Sequence, residues 1–395
     1  MTQTSDRNIE KIPLWRDERI IKIVLQAVVL IIVLGVLVLL FSNALTALAR
    51  QGRQFNFAFL RNSAGFNIGE SIVSYGPQNS YTWALVVGLI NTLRVIFVGF
   101  VLTTIVGVIA GVASFSSNWL LKKISAVYVE LVRNTPLLLQ LFVWYFGVVL
   151  AFTGTGEAPT NLFNFLYISK RQGGGIAIPW PPGVLMTWVS LALLVLGAIA
   201  ALFIWRWRIR IMEEQGASGK PQLIALAVLG FVALLLFFVG LGWEFPQLNA
   251  TGGVSGGLSM SLEYAAILLG LVFYTGAFIA EIVRAGIEAV SRGQWEAGKA
   301  LGLQPGLLMR LVVFPQALRV IIPSLNSQYM NLAKNSSLAL AIGYPDIYST
   351  AQTTFNQTGR PIEVFIIIAG TYLIINLVIS VFMNTLNQMV QVKER

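Results

Sequence analysis

The chain has 395 residues, of which 56% are hydrophobic and only 11% charged, and it contains neither cysteine nor histidine. A soluble globular domain carries about 25% charged residues, so this composition is that of a polytopic membrane protein, and disulfides, thiol chemistry, imidazole–metal sites and Ser–His or Cys–His catalysis are excluded. The net charge of +10 sits in short segments between apolar runs, which is the positive-inside pattern and needs no nucleic acid as partner.

Residues 1–19 are polar and basic, with Arg7, Lys11, Arg16 and Arg19. The apolar run from Ile23 to Phe41 is too long for the core of a signal peptide, so it reads as an uncleaved first span over 20–42. Residues 43–82 are too polar to insert. A second span is expected over 84–115, with Lys122 and Lys123 at the next turn, and a third over 126–151. The latter opens with Glu130, Arg133-Asn134-Thr135-Pro136 and Gln140, and Pro136 is expected to kink it. Residues 152–182, rich in Gly and Pro, form a loop.

Spans four and five are expected over 184–205 and 222–242, with Trp205-Arg206-Trp207-Arg208-Ile209-Arg210 as an interfacial belt. A glycine-rich turn, including Gly252 and Gly253, leads to span six over 259–283. Spans seven and eight cover 318–343 and 363–386, and Lys393 and Arg395 close the chain. The pattern therefore predicts an all-α bundle of about eight transmembrane helices. Cations favour one side about three to one, which places both termini in the cytoplasm.

Between spans six and seven lies Gly293–Pro323, short, charged and amphipathic. Arg292, Glu296, Lys299, Arg310 and Arg319 would each cost roughly 2.5–3.5 kcal/mol or more at the bilayer centre, so this stretch stays out of the hydrocarbon. Gln294 to Leu301 reads as two helical turns, Gly302 as their left-handed stop, and Pro305 as the start of a second helix. The segment also matches G-x-x-x-x-G-K, but Ala300 follows where a phosphate-binding loop needs Ser or Thr.

Span seven carries a polar face. Ser324, Gln328, Asn331, Lys334 and Asn335 recur at three- and four-residue steps, opposite Leu325, Leu332, Leu338 and Ala339. This stripe suits either a wet pathway for a zwitterion or a hydrogen-bonded seam against another membrane subunit. Glu281 and Arg284, three apart, read as an ion pair or as a gate, and Glu130 with Arg133 poses the same choice.

The pattern Glu296-Ala297-Gly298 followed three residues later by Gly302 resembles the EAA loop of ABC importer permeases, with Gly298 where Ala is usual. Tyr274 to Arg284, Pro315-Gln316-Ala317-Leu318-Arg319, Gly88 with Asn91-Thr92-Leu93, Arg133 to Pro136 and Lys334-Asn335-Ser336-Ser337-Leu338 resemble the polar amino-acid branch of that family. The long N-terminal part, Ala64 to Ile68, Ser80-Tyr81 and the interruption at 151–255 resemble the larger permease subunit of the general L-amino-acid importers.

That resemblance implies an importer-type permease core in two parts, 84–150 and 256–390, with a coupling loop at 293–323. It leaves 1–83 as an N-terminal unit with the first span, and 151–255 as an inserted helix pair. It implies docking of Gln294, Trp295, Glu296, Ala297, Gly298, Leu301 and Gly302 onto a cytoplasmic ATPase dimer, and alternating access without ATP hydrolysis by this chain and without a cofactor. Further expected partners are a second permease subunit, a periplasmic amino-acid-binding protein, the substrate amino acid and the lipid of a bacterial inner membrane. An ion-coupled secondary carrier is the competing reading, although such carriers often show repeats and midplane acidic groups.

Overall fold

The computed structural model describes residues 18–50, 52, 54–153, 159–163, 165–169, 175–216, 218–249 and 254–390. The cationic N-terminal stretch, Arg53, Lys170, Arg171, Gly252, Gly253, Lys393 and Arg395 lie outside the described residues. The chain is a helical membrane protein. Among the described residues, seven helices are long and apolar enough to cross a bilayer, or eight if one bent pair is a single span.

Helix α1 (Glu18–Arg50) is apolar on every side between Ile23 and Phe41 and exposed over that stretch. A segment with a short 3₁₀ turn at Ala58–Arg61 leads to α2 (Tyr81–Ala113), which Ser80 caps by accepting the Trp83 N–H. Where one kinked span is expected, helix α3 (Trp119–Arg133) is followed by α4 (Leu137–Phe142), continued by a wide turn over Val143–Val149. The chain bends by 110° between them. Pro136 cannot donate to the helix ladder. The carbonyls this frees are satisfied locally: Gln140 Nε2 donates to Val132 O at 2.9 Å and to Thr135 O at 3.1 Å. Such internal repair is what permits a break at membrane depth.

The expected loop at 152–182 instead contains strands. Strands β1 (Thr160–Leu162), β2 (Leu166–Ile168) and β3 (Ile176–Ile178) pair antiparallel in order. Helices α5 (Leu185–Gln215) and α6 (Lys220–Leu235) form the inserted hairpin, its tight turn closed by Arg208 Nε donating to Gly219 O at 3.3 Å. Short strands β4 (Gln247–Leu248) and β5 (Val254–Ser255) follow, and β6 (Leu258–Met260) returns to pair with β3. The first part of the insertion is thus joined to the segment that leads into α7 in one four-stranded sheet. Strands of three residues separated by glycine and proline carry too little alternation to be seen in the sequence.

Helix α7 (Leu262–Glu288) is the axis of the bundle. It runs parallel to α2, because Arg94 meets Tyr264, Thr103 meets Val272, and Gly111 meets Val283 in step. Lipid tails are as apolar as the side chains, so helices associate here by close packing rather than by burial from water. Gly107 and Gly111 make that approach possible: a Cβ at Gly111 would fall 2.8 Å from Ala280 O. Helix α8 (Arg292–Ala300), α9 (Pro305–Leu308) and a wide turn at Met309–Val313 lead into α10 (Phe314–Asn335), which climbs back antiparallel to α7 and continues through Pro323. A 3₁₀ segment (Ser336–Ile342), then α11 (Ile347–Thr358) and α12 (Pro361–Val390) complete the chain. Two ends can be told apart: the elbow end, with α8 and α9, and the sheet end, with β1–β3, β6 and α11.

Candidate functional site: the elbow, the polar face and two charged clefts

The elbow forms as its residues require. Gly302 has φ +72°. Its N–H bonds to Lys299 O at 2.9 Å, and the N–H of Leu303 reaches Gly298 O at 3.1 Å. This is a Schellman stop, which turns the chain sharply and satisfies two end carbonyls. The expected coupling residues do not share one surface. Glu296, Ala297, Leu301 and Gly302 are exposed, with Leu301 81% exposed. Trp295 is half-buried against the bundle core, and Gly298 is buried against Leu303 and Leu308. The small residue at 298 therefore serves packing inside the elbow, not an outward groove. Gln294 accepts from Gln316 Nε2 at 3.0 Å, which ties α8 to α10.

On α10, Ile321, Leu325, Tyr329, Leu332 and Ala333 are buried in the core. The expected polar stripe lies on the other side. Ser324 bonds back to Val320 O at 3.0 Å, while Asn331 and Lys334 are exposed and Gln328 and Asn335 half-buried. The face thus points away from the chain's own helices.

At the elbow end, Arg133 on α3 reaches Glu281 on α7 at 3.5 Å. Glu130 is not its partner. Arg284 binds Glu281 through both nitrogens of its outer edge, and Glu288 at 2.8 Å. The four groups line a cleft of about 790 Å³ between α2, α3 and α7, together with Lys122 and Glu130. Its charges balance, and the bidentate Arg284–Glu281 contact is of the strong, geometrically specific kind.

At the sheet end lies a second cleft, of about 630 Å³, that the sequence reading passed over. Arg94, inside the span formed by α2, pairs with Glu70 from the segment before α2 and stacks 3.8 Å from the Tyr264 ring centre. Ser261 also donates to Glu70, and Tyr145 donates to Glu263 Oε1 at 2.8 Å. The signal was present: a cation inside an apolar helix demands a partner. Its partner, however, lies 24 residues away in a polar stretch with no periodicity.

Residues 221–392 match the family described as binding-protein-dependent transport system inner membrane component. Over 96% of its length the chain is 39% identical to the general L-amino acid transport system permease protein AapQ of Rhizobium johnstonii, covering 94% of that protein. It is 40% identical to the putative amino-acid ABC transporter permease protein YhdX of Escherichia coli, over 94% of each. It is also 40% identical, over 96% of each, to the glutamate/glutamine/aspartate/asparagine transport system permease protein BztB of Rhodobacter capsulatus. The chain belongs to the amino-acid ABC transporter permease family.

In this permease the motif residues at the head of α2 have structural work. Asn91 donates to Glu70 O at 2.8 Å and to Pro345 O at 2.9 Å, and Thr92 Oγ1 accepts the Ile347 N–H at 2.9 Å. They clamp the link between α10 and α11 onto α2. Gly88 lets α11 approach, since a Cβ there would stand 2.9 Å from Asp346 O. Asp346 is buried and caps α11 by accepting the Ser349 N–H at 2.7 Å.

Proposed function

We propose that this permease is the membrane subunit of an ATP-driven importer for L-amino acids, and that its elbow is the hook by which separate ATPase subunits drive it. Glu296, Ala297, Leu301 and Gly302 form an exposed, rigidly capped knob whose side chains meet no side-chain hydrogen-bond partner among the described residues, which supports docking by those residues. Trp295, Gly298 and Gln294 hold the knob to the bundle. A force on the knob is then carried into α10 through the Gln294–Gln316 bond and the Leu308 packing. The chain hydrolyses no ATP itself on this reading.

The elbow end faces the cytoplasm, in keeping with the cation bias, and the sheet end faces the periplasm of a bacterial inner membrane, where a binding protein would deliver substrate. Residues 84–150 and 256–390 form the transport core, with 1–83 and 151–255 appended to it. The outward polar face of α10 meets a second permease subunit. Ser324, Gln328, Asn331, Lys334 and Asn335 line the seam along which substrate moves, because an exposed Lys334 at membrane depth needs an anion, a carboxylate or water for company. The Arg133–Glu281–Arg284 network closes the elbow end and opens as α3 and α7 separate, which gives alternating access. The general L-amino acid and glutamate/glutamine/aspartate/asparagine transport of its relatives supports a broad substrate range of neutral and acidic amino acids.

The single observation that carries the proposal is the exposed Glu296-to-Gly302 knob. The test is Glu296→Lys in the reconstituted importer. The variant should assemble poorly with the ATPase or lose ATP-driven uptake, whereas full assembly with full-rate uptake would refute the coupling role.

A further inference from the structure

The cleft at the sheet end holds three charged groups, Glu70, Arg94 and Glu263. Two of them are spent on each other. The Glu70–Arg94 pair is largely buried, at 13% and 16% side-chain exposure, and Ser261 occupies the second Glu70 oxygen. Glu263 is different. It is half-buried, one oxygen accepts the Tyr145 hydroxyl, and the other meets no donor among the described residues. A partly desolvated carboxylate with an open oxygen is poorly satisfied, and it is best completed by a cation that can donate hydrogen bonds. The cleft's volume lies within the range of small-molecule sites, about 300–1,000 Å³.

We propose that this cleft is an entry site for amino acids, in which Glu263 accepts the α-ammonium group. Every amino acid carries that group, so one acceptor serves a broad range of side chains. Arg94 stays paired with Glu70 and stacked on Tyr264, and lines the cleft as a buried cation on the side from which the α-carboxylate would approach. The hydroxyls of Ser71 and Ser259 line the same cleft. Ser259 lies on β6, and β3 of the insertion pairs with that strand, so the insertion braces one wall of the cleft from behind. The inference rests on the proposed function for its orientation and substrate class.

The test uses the absence of native cysteine. Ile72 lines the cleft and is 59% exposed. In the assembled importer in proteoliposomes, Ile72→Cys is labelled with a membrane-impermeant maleimide, with L-glutamine or N-acetyl-L-glutamine present. L-Glutamine should slow labelling several-fold, N-acetyl-L-glutamine should not, and Glu263→Gln should abolish the protection while Glu263→Asp keeps part of it. With native Ile72, Glu263→Gln should raise the KM for glutamine uptake about tenfold at little changed kcat, the loss expected for one hydrogen bond to a charged group. Equal labelling rates with and without L-glutamine, in a complex that does import glutamine on ATP, would overturn the site. Protection by L-glutamine in a complex that imports nothing would uphold the site and refute the transport reading instead.

Discussion

A Cβ on Gly298 would fall 2.2 Å from Leu308 Cδ1, so the two arms of the elbow close on each other at a residue without a side chain. Leu308 is 2% exposed and has little room to retreat. The contact is to the tip of a flexible side chain, however, so a single methyl can be absorbed by a rotamer change. Alanine also gains about 1 kcal/mol of helix propensity over glycine. Gly298→Ala should therefore leave uptake nearly unchanged. Gly298→Val should cost about 1–3 kcal/mol through overpacking and lower ATP-driven uptake without lowering membrane insertion. The Gly298→Val/Leu308→Ala double variant should recover part of the loss, as measured by uptake in proteoliposomes beside thermal unfolding.

The α2–α7 seam makes a second prediction. At Gly111 an added Cβ would meet the Ala280 carbonyl at 2.8 Å and Val283 Cβ at 2.6 Å, and backbone cannot step aside as a side-chain tip can. Gly111→Val should lower the unfolding temperature in detergent by several degrees or abolish the folded peak. Gly370→Val, where nothing stands within 4 Å, is the matched control and should behave as the parent chain. Tryptophan fluorescence during heating reads both.

Much of this arrangement could be read in advance. Gly302 and Pro305 announced the elbow because their backbone preferences are local. The steps from Ser324 to Asn335 announced a two-faced helix because helical period survives in any context. The break at Pro136 was legible as a kink but not as a 110° turn, since its depth depends on Gln140 repairing the backbone. The division of the coupling residues into an outward and an inward set was hidden as well. Trp295 and Gly298 turn inward only because Leu303 and Leu308 wait there. The Arg94–Glu70 and Arg133–Glu281 pairs join distant segments, and no local pattern reports a partner of that kind.

Gln140 tests the repair directly. Its amide nitrogen serves Val132 O, Thr135 O and Thr135 Oγ1 at once. Gln140→Leu keeps the size and removes the donor, so Thr135 O loses the Gln140 bond while Val132 O keeps only its contacts to Thr135 and Asn134, at a cost of about 0.5–1.5 kcal/mol per bond lost. The variant should lose that much stability in denaturant titration, and Gln140→Glu should not restore it, because a carboxylate has no donor to offer.

Asp346 predicts a pH dependence. It lies between α10 and α12, outside the spans, and burial pushes its carboxyl from the ordinary 3.8 up to about 7. Between those two values the folded chain holds a proton that the unfolded chain has released. Stability should then fall as pH rises through that window and level off above it. Asp346→Asn keeps a good helix cap and removes the titration, so its stability profile should be flatter from pH 3.8 to about 7. Unfolding temperatures across that range, for both chains, make the comparison.

The coupling claim has its most direct test at Leu301, 81% exposed on the elbow's outward face, in a chain with no native cysteine to compete. Leu301→Cys is combined with a thiol-to-amine cross-linker in inside-out and right-side-out membrane vesicles containing the assembled importer. The account predicts a covalent adduct with the ATPase subunit in inside-out vesicles, together with loss of ATP-driven uptake. Labelling of Leu301→Cys by an impermeant reagent from the periplasmic side, or uptake at full rate after complete modification, would contradict it.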